Sequence, residues 1–425
     1  MVTLLAVVFF GLLLLGHPIA FTLGLTSLVL LVVEGSLPLN AVPQYMFMGL
    51  DSFPLMAIPF FVLAGEIMVE TGISRRLVDF AMVLLGRIPG ALAQVAIATC
   101  VFFAGVTGAA VADAAAVGSV LIPSMKKEGY PASYATALVA AASAIGPIIP
   151  PSIILVVYGI AASTSIASLL IAGVVPGLLM GLALGITVYV QAKRHGFPRR
   201  TATLSVGAVL AAFWRALPAL MMPGIIVGGI ALGICTPTEA ACVAVVYSAG
   251  LGLWTRTLPL RQVPAICLRS SVVTGMVLFI IAAARLFSVL LVMYEIPVRV
   301  TNLALSLSHN AYVILLIINV LLLIAGCFLE ISAACIILVP ILLPVVTKLG
   351  VDPVHFGIIM CVNLAIGLIH PPLGPALFVS CKIGEVSIEE TVKDLWPFLV
   401  SLIAVLLVCT YWPALVLCVP RLFSR

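Results

Sequence analysis

Two copies of one short stretch govern what this chain can fold into. Residues 144–151 read A-I-G-P-I-I-P-P, and residues 365–372 read A-I-G-L-I-H-P-P, 221 positions later. The same offset, without a gap, carries Gly105 onto Gly326, Pro123 onto Pro344, Gly129 onto Gly350 and Pro176 onto Pro397. Gly and Pro dictate backbone geometry, so their recurrence predicts one backbone path built twice. Both stretches lie inside hydrophobic runs. Proline lacks an N–H and clashes with the preceding turn, so a helix breaks there and leaves carbonyls unpaired. Within a bilayer, broken backbone persists only where it is buried in protein or lines a wet cavity. Breaks at matching positions of two halves point to the binding site of a transporter.

The rest of the sequence fits a membrane setting. Of 425 residues, 64% are hydrophobic and 8% charged, whereas soluble domains carry about 25% charged residues. Mean hydropathy is +1.34, and many apolar runs reach the roughly 18–20 residues that cross a bilayer. The expected class is an all-α polytopic membrane protein, with the lipid bilayer as its surroundings. The net charge of +5 does not argue for nucleic acid, because Lys and Arg collect in the cytoplasmic loops of membrane proteins. The first run, residues 4–15, lacks a basic leader and continues into apolar sequence, so it reads as structure and not as a cleaved signal. None of the ten Cys forms a C-x-x-C pair, which leaves them as small buried hydrophobes.

Taken in order, the chain predicts helices near 2–15 and 17–33, split at Gly16-His17-Pro18. A loop follows through Pro54, then a helix to about Glu70 and an interfacial helix over 74–86. Residues 91–125 read as a re-entrant hairpin with its tip at Gly105-Val106-Thr107-Gly108. The first broken helix covers 132–145 and 152–162, and a span covers 166–191. The second half repeats the plan. Spans are expected near 213–233, 238–254 and 271–293, with an interfacial piece at 297–307. A hairpin over 311–347, a broken helix over 353–366 and 373–383, and a last span over 395–418 complete it.

These elements group into a first repeat (1–192), a cytoplasmic linker (193–212) and a second repeat (213–425). Placing the basic 193–200 loop in the cytoplasm places most of the 20 Lys and Arg there as well, as the positive-inside rule requires. It also gives the two repeats opposite orientation. The expected fold is therefore an inverted-repeat ion-transporter type with two re-entrant helical hairpins and two broken helices.

Unwound segments offer bare carbonyls, and half-helix ends add partial charge. The ion-site candidates are Gly146, Pro147 and Pro150 in the first break and Gly367, His370 and Pro371 in the second. The facing tips add Gly105, Thr107 and Gly108, and Gly326 and Glu330; together these suit Na⁺ as the coupling ion, with no other cofactor. Intramembrane carboxylates are the rival device, because Asp or Glu in lipid often marks a proton path. Asp113, Glu330, Glu239 and Glu66 qualify, although helix capping or loop solvation accounts for such residues equally well. His370 can titrate near neutrality or serve only as hydrogen-bonded structure. Arg285 is the most deeply placed cation; it can meet an anionic substrate, pair with a carboxylate or snorkel. Thr107, Asp113, Ser332 and Arg285 are the substrate-site candidates. No P-loop, H-E-x-x-H or G-x-S-x-G motif occurs, so enzymatic activity is not expected.

At these residues the sequence resembles the large membrane subunit of tripartite ATP-independent periplasmic (TRAP) transporters. The matching stretches are S-F-P-L-M-A-I-P-F-F-V-L-A-G-E-I-M at 52–68, D-A-A-A-V-G-S-V-L-I-P at 113–123, I-G-P-I-I-P-P-S-I at 145–153, T-P-T-E-A at 236–240, G-V-D-P-V-H-F-G-I-I at 350–359 and I-G-L-I-H-P-P-L-G at 366–374. The resemblance implies a bacterial or archaeal inner-membrane protein that works with a small four-helix membrane subunit and a periplasmic substrate-binding protein. It implies Na⁺-coupled uptake of organic acids by an elevator-like motion, with ions held around the hairpin tips and double-proline breaks. The family usually has Thr where His370 stands, which makes the second ion site backbone-only or weaker. C4-dicarboxylates, sialic acid and sugar acids all remain open as substrates. A self-sufficient Na⁺/dicarboxylate carrier without a binding protein is the alternative, followed by a channel subunit and an intramembrane enzyme.

Overall fold

A computed structural model describes residues 1–35, 38–197, 206–371 and 374–423. Pro372, the 198–200 end of the basic loop and residue 373, where the second half of the second broken helix was expected to begin, lie outside the described residues. Among the described residues the secondary structure is helical throughout. Among the described residues, seven helical segments are long and apolar enough to cross a bilayer, from Phe53–Glu70 to Ile388–Tyr411.

The first half opens with α1 (Val2–Leu14) and α2 (Ile19–Glu34), separated where Gly16, His17 and Pro18 were expected to split them. Next come α3 (Ala41–Leu50), a 3₁₀ turn (Phe53–Met56), α4 (Ala57–Glu70) and α5 (Ile73–Leu85). The hairpin is α6 (Ala91–Thr107) and α7 (Ala110–Lys127). The broken helix is α8 (Ala132–Ser143) and α9 (Ile153–Ala161), and α10 (Ile166–His195) ends the half. The second half has α11 (Val206–Ala231), α12 (Pro237–Trp254), α13 (Val263–Met293) and α14 (Ile296–Leu307). Its hairpin is α15 (Ala311–Phe328) and α16 (Ile331–Lys348), and its broken helix is α17 (Pro353–Gly367) and α18 (Pro375–Gly384). The chain closes with α19 (Ile388–Tyr411) and α20 (Pro413–Phe423).

The repeat is visible in these bounds. α7 runs from 110 to 127 and α16 from 331 to 348, 221 residues on at both ends. Gly129 and Gly350, at the same offset, both turn with positive φ, +88° and +78°. That is a conformation glycine adopts without the clash a Cβ brings. The two hairpin tips differ, however. The first turns through Gly108 in the left-handed region, whereas its counterpart Leu329 is extended.

Three expectations need correction. The stretch read as a loop between α2 and α4 contains α3, a full helix that Pro43 and Gly49 disguise. The last span begins at Ile388, seven residues before the expected 395, because Ser387 and Glu390 form a capping box that starts the helix early. It stops at Tyr411, where Pro413 removes a donor and α20 begins anew. The expected linker is helical at both ends, since α10 continues to His195 and α11 begins at Val206.

The core gathers the hairpins and broken helices of both halves. α18 packs on α7 and α8, and α9 packs on α16 and α17, so each broken helix reaches into the other half. Tyr158 of α9 donates to the Pro353 carbonyl at 2.8 Å, and its ring rests on Gly357, where a Cβ would lie 2.4 Å from it. Lys126, in the last turn of α7, donates to the Gly384 carbonyl at 3.2 Å. Every residue of α8 from Tyr134 to Ser143 is buried, and half of them are Ala. Without a hydrophobic drive between helices in lipid, such small residues allow the close backbone approach on which packing depends. Around this core α4 lies on α12 and α13, and α13 on α2 and α3.

Candidate ion and substrate site

The first break runs from Ala144 to Ser152, and it meets the first hairpin tip directly. A Cβ placed on Gly108 would fall on the Pro151 carbonyl, so only a glycine lets the tip sit there. The Pro150–Pro151 peptide is cis. Ser152 caps α9 by accepting from the Leu155 N–H at 3.2 Å, and its hydroxyl donates to the Pro147 carbonyl. Among the described residues, no N–H or O–H donates to the carbonyls of Gly146, Pro150 and Pro151. These are the bare oxygens that the double proline predicts.

Asp113, one turn into α7, supplies charge at this place. It is fully buried. Oδ1 accepts from the Thr107 hydroxyl, which ends α6, while Oδ2 is buried without a hydrogen-bond partner. Oδ2 points at the break: a Cβ on Gly146 would come within 2.3 Å of it. An unpartnered carboxylate oxygen in a protein interior is strongly unfavourable unless a cation or a proton neutralises it. Thr107, Asp113, Gly108, Gly146, Pro147 and Pro150 therefore come together, as the sequence suggested. Gly105 does not. It packs instead on Pro223 of α11, whose Cβ would be 2.7 Å from an added methyl.

The second break is arranged differently. Gly326 and Gly367 touch backbone to backbone, with a Cβ on Gly367 only 2.7 Å from the Gly326 Cα. The carbonyl of Gly367 accepts from His370 N–H, that of Leu368 from Ala376 N–H and that of His370 from Gly374 N–H, each at 3.1 Å. Nδ1 of His370 lies 2.6 Å from the Pro371 carbonyl, so it carries a proton and donates. The same nitrogen lies 3.1 Å from Sγ of Cys327, on the hairpin. Among the described residues, the carbonyls of Gly367, Leu368, His370 and Pro371 thus have donors, and His370 supplies two of them.

The remaining candidates separate. Glu330 caps α16, accepting from Ala333 N–H at 2.9 Å and from the Ser332 hydroxyl at 3.1 Å. Glu239 is the third residue of a capping box on Thr236. Glu66 and Glu70 pair with Arg269 at 3.1 and 2.9 Å, joining α4 to α13. Arg285 stands apart from both breaks, in a cleft of about 440 Å³ between α3, α9, α13 and α16. No sequence signal shows the approach of Asp113 to Gly146, because one lies on α7 and the other in the unwound break after α8.

The sequence profile described as "Tripartite ATP-independent periplasmic transporter, DctM component" matches residues 6–415. The chain belongs to this family. The resemblance drawn from the motifs is therefore borne out across nearly the whole length. Among DctM relatives, the isethionate TRAP transporter permease protein DctMQ of Oleidesulfovibrio alaskensis is 45% identical over 95% of this chain. This chain spans 64% of that protein's length. The C4-dicarboxylate TRAP transporter large permease protein DctM of Rhodobacter capsulatus is 37% identical over 99% of both chains. In solved structures, the Alcanivorax borkumensis YdaH transporter matches with a TM-score of 0.63 at 17% identity, covering 89% of this chain and 90% of that one. It shares the fold. The DctM chain described here is thus a multi-pass, inverted-repeat transporter subunit with paired hairpins and broken helices.

Proposed function

We propose that this DctM chain couples inward movement of Na⁺ to uptake of a small organic acid, with one Na⁺ held at the first break. The observation that supports this reading is the buried, unpartnered Oδ2 of Asp113 facing Gly146. The donor set fits the ion. Backbone carbonyls of Gly146, Pro150 and Pro151, the Thr107 hydroxyl and one carboxylate are hard oxygen ligands, with no nitrogen or sulfur among them. Bound Na⁺ would neutralise Asp113 and replace its water shell with fixed dipoles. The same charge would then hold α6, α7 and the break together, so that the ion and the substrate move with one rigid unit. His370 supplies its own donor at the second break, which makes that break the weaker ion site.

Relatives carry isethionate or C4-dicarboxylates in their names, and the class proposed here is a small organic anion. Family membership supports two partners: a small membrane subunit, and a periplasmic binding protein that delivers the acid. An inner-membrane location and elevator-type alternating access belong to the same reading. Proteoliposome uptake tests it. Uptake should follow an inward Na⁺ gradient and fall to background with K⁺ in its place. Uptake driven by a pH gradient alone in Na⁺-free buffer overturns the assignment and makes Asp113 a proton carrier.

A further inference from the structure

A second charged feature lies outside the breaks. We infer that Arg285 and the cleft around it, with α3 and α13 on one side and α9 and α16 on the other, form a binding site for the carboxylate of a small organic acid, distinct from the ion site at the first break.

Several observations converge on this. The cleft, about 440 Å³, has a volume in the range of small-molecule sites. One wall is α3 and α13; the other is α9 and α16, second halves of the broken helix and hairpin of opposite repeats. Gly49 of α3 presses on the stem of Arg285. A Cβ there would lie 2.6 Å from Cβ and 3.0 Å from Cγ of the arginine. The stem is therefore wedged between α3 and α13, leaving only the guanidinium end free to enter the cleft. Among the described residues, no carboxylate lies within ion-pair distance of Arg285. Ser288, one turn further along the same helix face, Ser52 and Ser163 add hydroxyls to the lining. Ser52 makes no side-chain capping bond to occupy it.

The fold does not require the charge. The position 221 residues earlier is Ala64, fully buried against its neighbours. An uncompensated cation at membrane depth is unfavourable and marks a ligand path when it faces a cavity. The guanidinium fork matches a carboxylate with two parallel N–H···O bonds. Hydroxyls beside it suit the polar remainder of a hydroxy- or dicarboxylic acid. Because α9 continues directly from the first break, a carboxylate held here bridges α3 and α13 to a helix that adjoins the ion site.

The proposal rests on the transport reading only in taking the ligand to be the transported acid. Its test separates the two. With the full chain in phosphatidylcholine nanodiscs, succinate and gluconate are added without Na⁺, and thermal unfolding and phenylglyoxal labelling are followed. At least one acid should raise Tm by about 2–4 °C at saturating concentration, and should slow labelling of Arg285 several-fold, with chloride at equal ionic strength doing neither. Arg285→Gln should lose the acid shift and keep a Na⁺ shift; Asp113→Asn should show the reverse. No protection by either acid overturns the site. So does protection that appears only when phosphatidylglycerol is introduced, which would make a lipid phosphate the occupant. An Arg285→Gln protein that keeps the full acid shift overturns it as well.

Discussion

Oδ2 of Asp113 and the α-carbon of Gly146 are packed so closely that a methyl group on the glycine would come within 2.3 Å of the oxygen. The hairpin thereby presents a carboxylate to unwound backbone across a gap that no side chain can share. Glycine is needed at 146 for the carboxylate, and not for its own φ, since it is absent from the positive-φ residues.

Two substitutions at this contact should act unequally. Asp113→Asn removes the charge but keeps the shape, and should weaken Na⁺ activation by about 10–100-fold, the equivalent of about 1.5–3 kcal/mol for a charge-assisted contact. Gly146→Ala keeps the charge but displaces the carboxylate from the break; it should weaken Na⁺ activation less than Asp113→Asn and lower Tm. Uptake measured against Na⁺ concentration distinguishes them. Wild-type Na⁺ dependence in Asp113→Asn would remove the ion from this site.

The glycine pair of the second half makes a different prediction. A Cβ on Gly367 meets Gly326 Cα and carbonyl carbon at 2.7 Å, whereas a Cβ on Gly326 meets Gly367 Cα at 3.2 Å. Backbone cannot swing aside as a side-chain end can. Gly367→Ala should therefore destabilise by about 1–3 kcal/mol, as overpacking does, and Gly326→Ala by clearly less. Thermal unfolding in detergent ranks the two, and equal Tm values would mean that the hairpin slides freely on the break.

How much of this was readable in advance follows from what each feature depends on. The hairpins, the breaks and the division of α1 from α2 depend on Gly and Pro, whose backbone preferences are local and survive any packing. α3 was missed because Pro43 and Gly49 resemble loop residues; the glycine serves instead to let that helix press on Arg285. The early start of α19 was signalled by Ser387 and Glu390, a local cue overlooked beside the stronger apolar run. The meeting of Asp113 with Gly146 is tertiary. It depends on how α7 and α8 are placed, and no periodicity carries it. The donor that His370 turns onto the Pro371 carbonyl is likewise invisible until its ring is placed.

Carboxylates that act as caps should leave coupling untouched. Glu239 accepts from Thr236 N–H at 2.8 Å and from the Thr236 hydroxyl at 2.9 Å. Thr236→Ala should lower stability by about 1 kcal/mol, a usual N-cap loss, and Glu239→Gln by less, since its amide oxygen still accepts. Neither should change the Na⁺ concentration for half-maximal uptake. A shift of more than a few-fold would return Glu239 to the ion path.

Restoring a helix at the first break should abolish transport. Alanine at Pro150 and Pro151 reinstates two N–H groups and favours helix strongly over proline, by about 3 kcal/mol per residue. The break can then close and withdraw the carbonyls of Gly146 and Pro150 from the ion. Membrane insertion should survive, because the run only becomes a better helix. Normal Na⁺-driven uptake in the double variant would reduce the double proline to a packing kink.

The two ends of the hairpins should lie on opposite sides of the membrane. Lys126, in the last turn of α7, donates to the Gly384 carbonyl at the end of α18, so those two termini share one side. α16, which ends at Lys348, packs instead on α9. The same relation is built twice with the repeats exchanged, and an inverted repeat puts one pair of termini inside and the other outside. The basic residues choose between the two. Lys126, Lys127 and Lys382 accompany the Lys193 and Arg194 end of α10 and predict a cytoplasmic face, leaving Lys348 periplasmic. Single cysteines at 126 and 348, both exposed positions, test this in a background with the exposed Cys267 and Cys418 replaced. A membrane-impermeant maleimide applied to spheroplasts should label position 348 and spare 126, and inverted vesicles should reverse the pattern. Labelling of both from one side would mean that the halves run parallel, and a pair of matched breaks could not then face a common site from opposite directions.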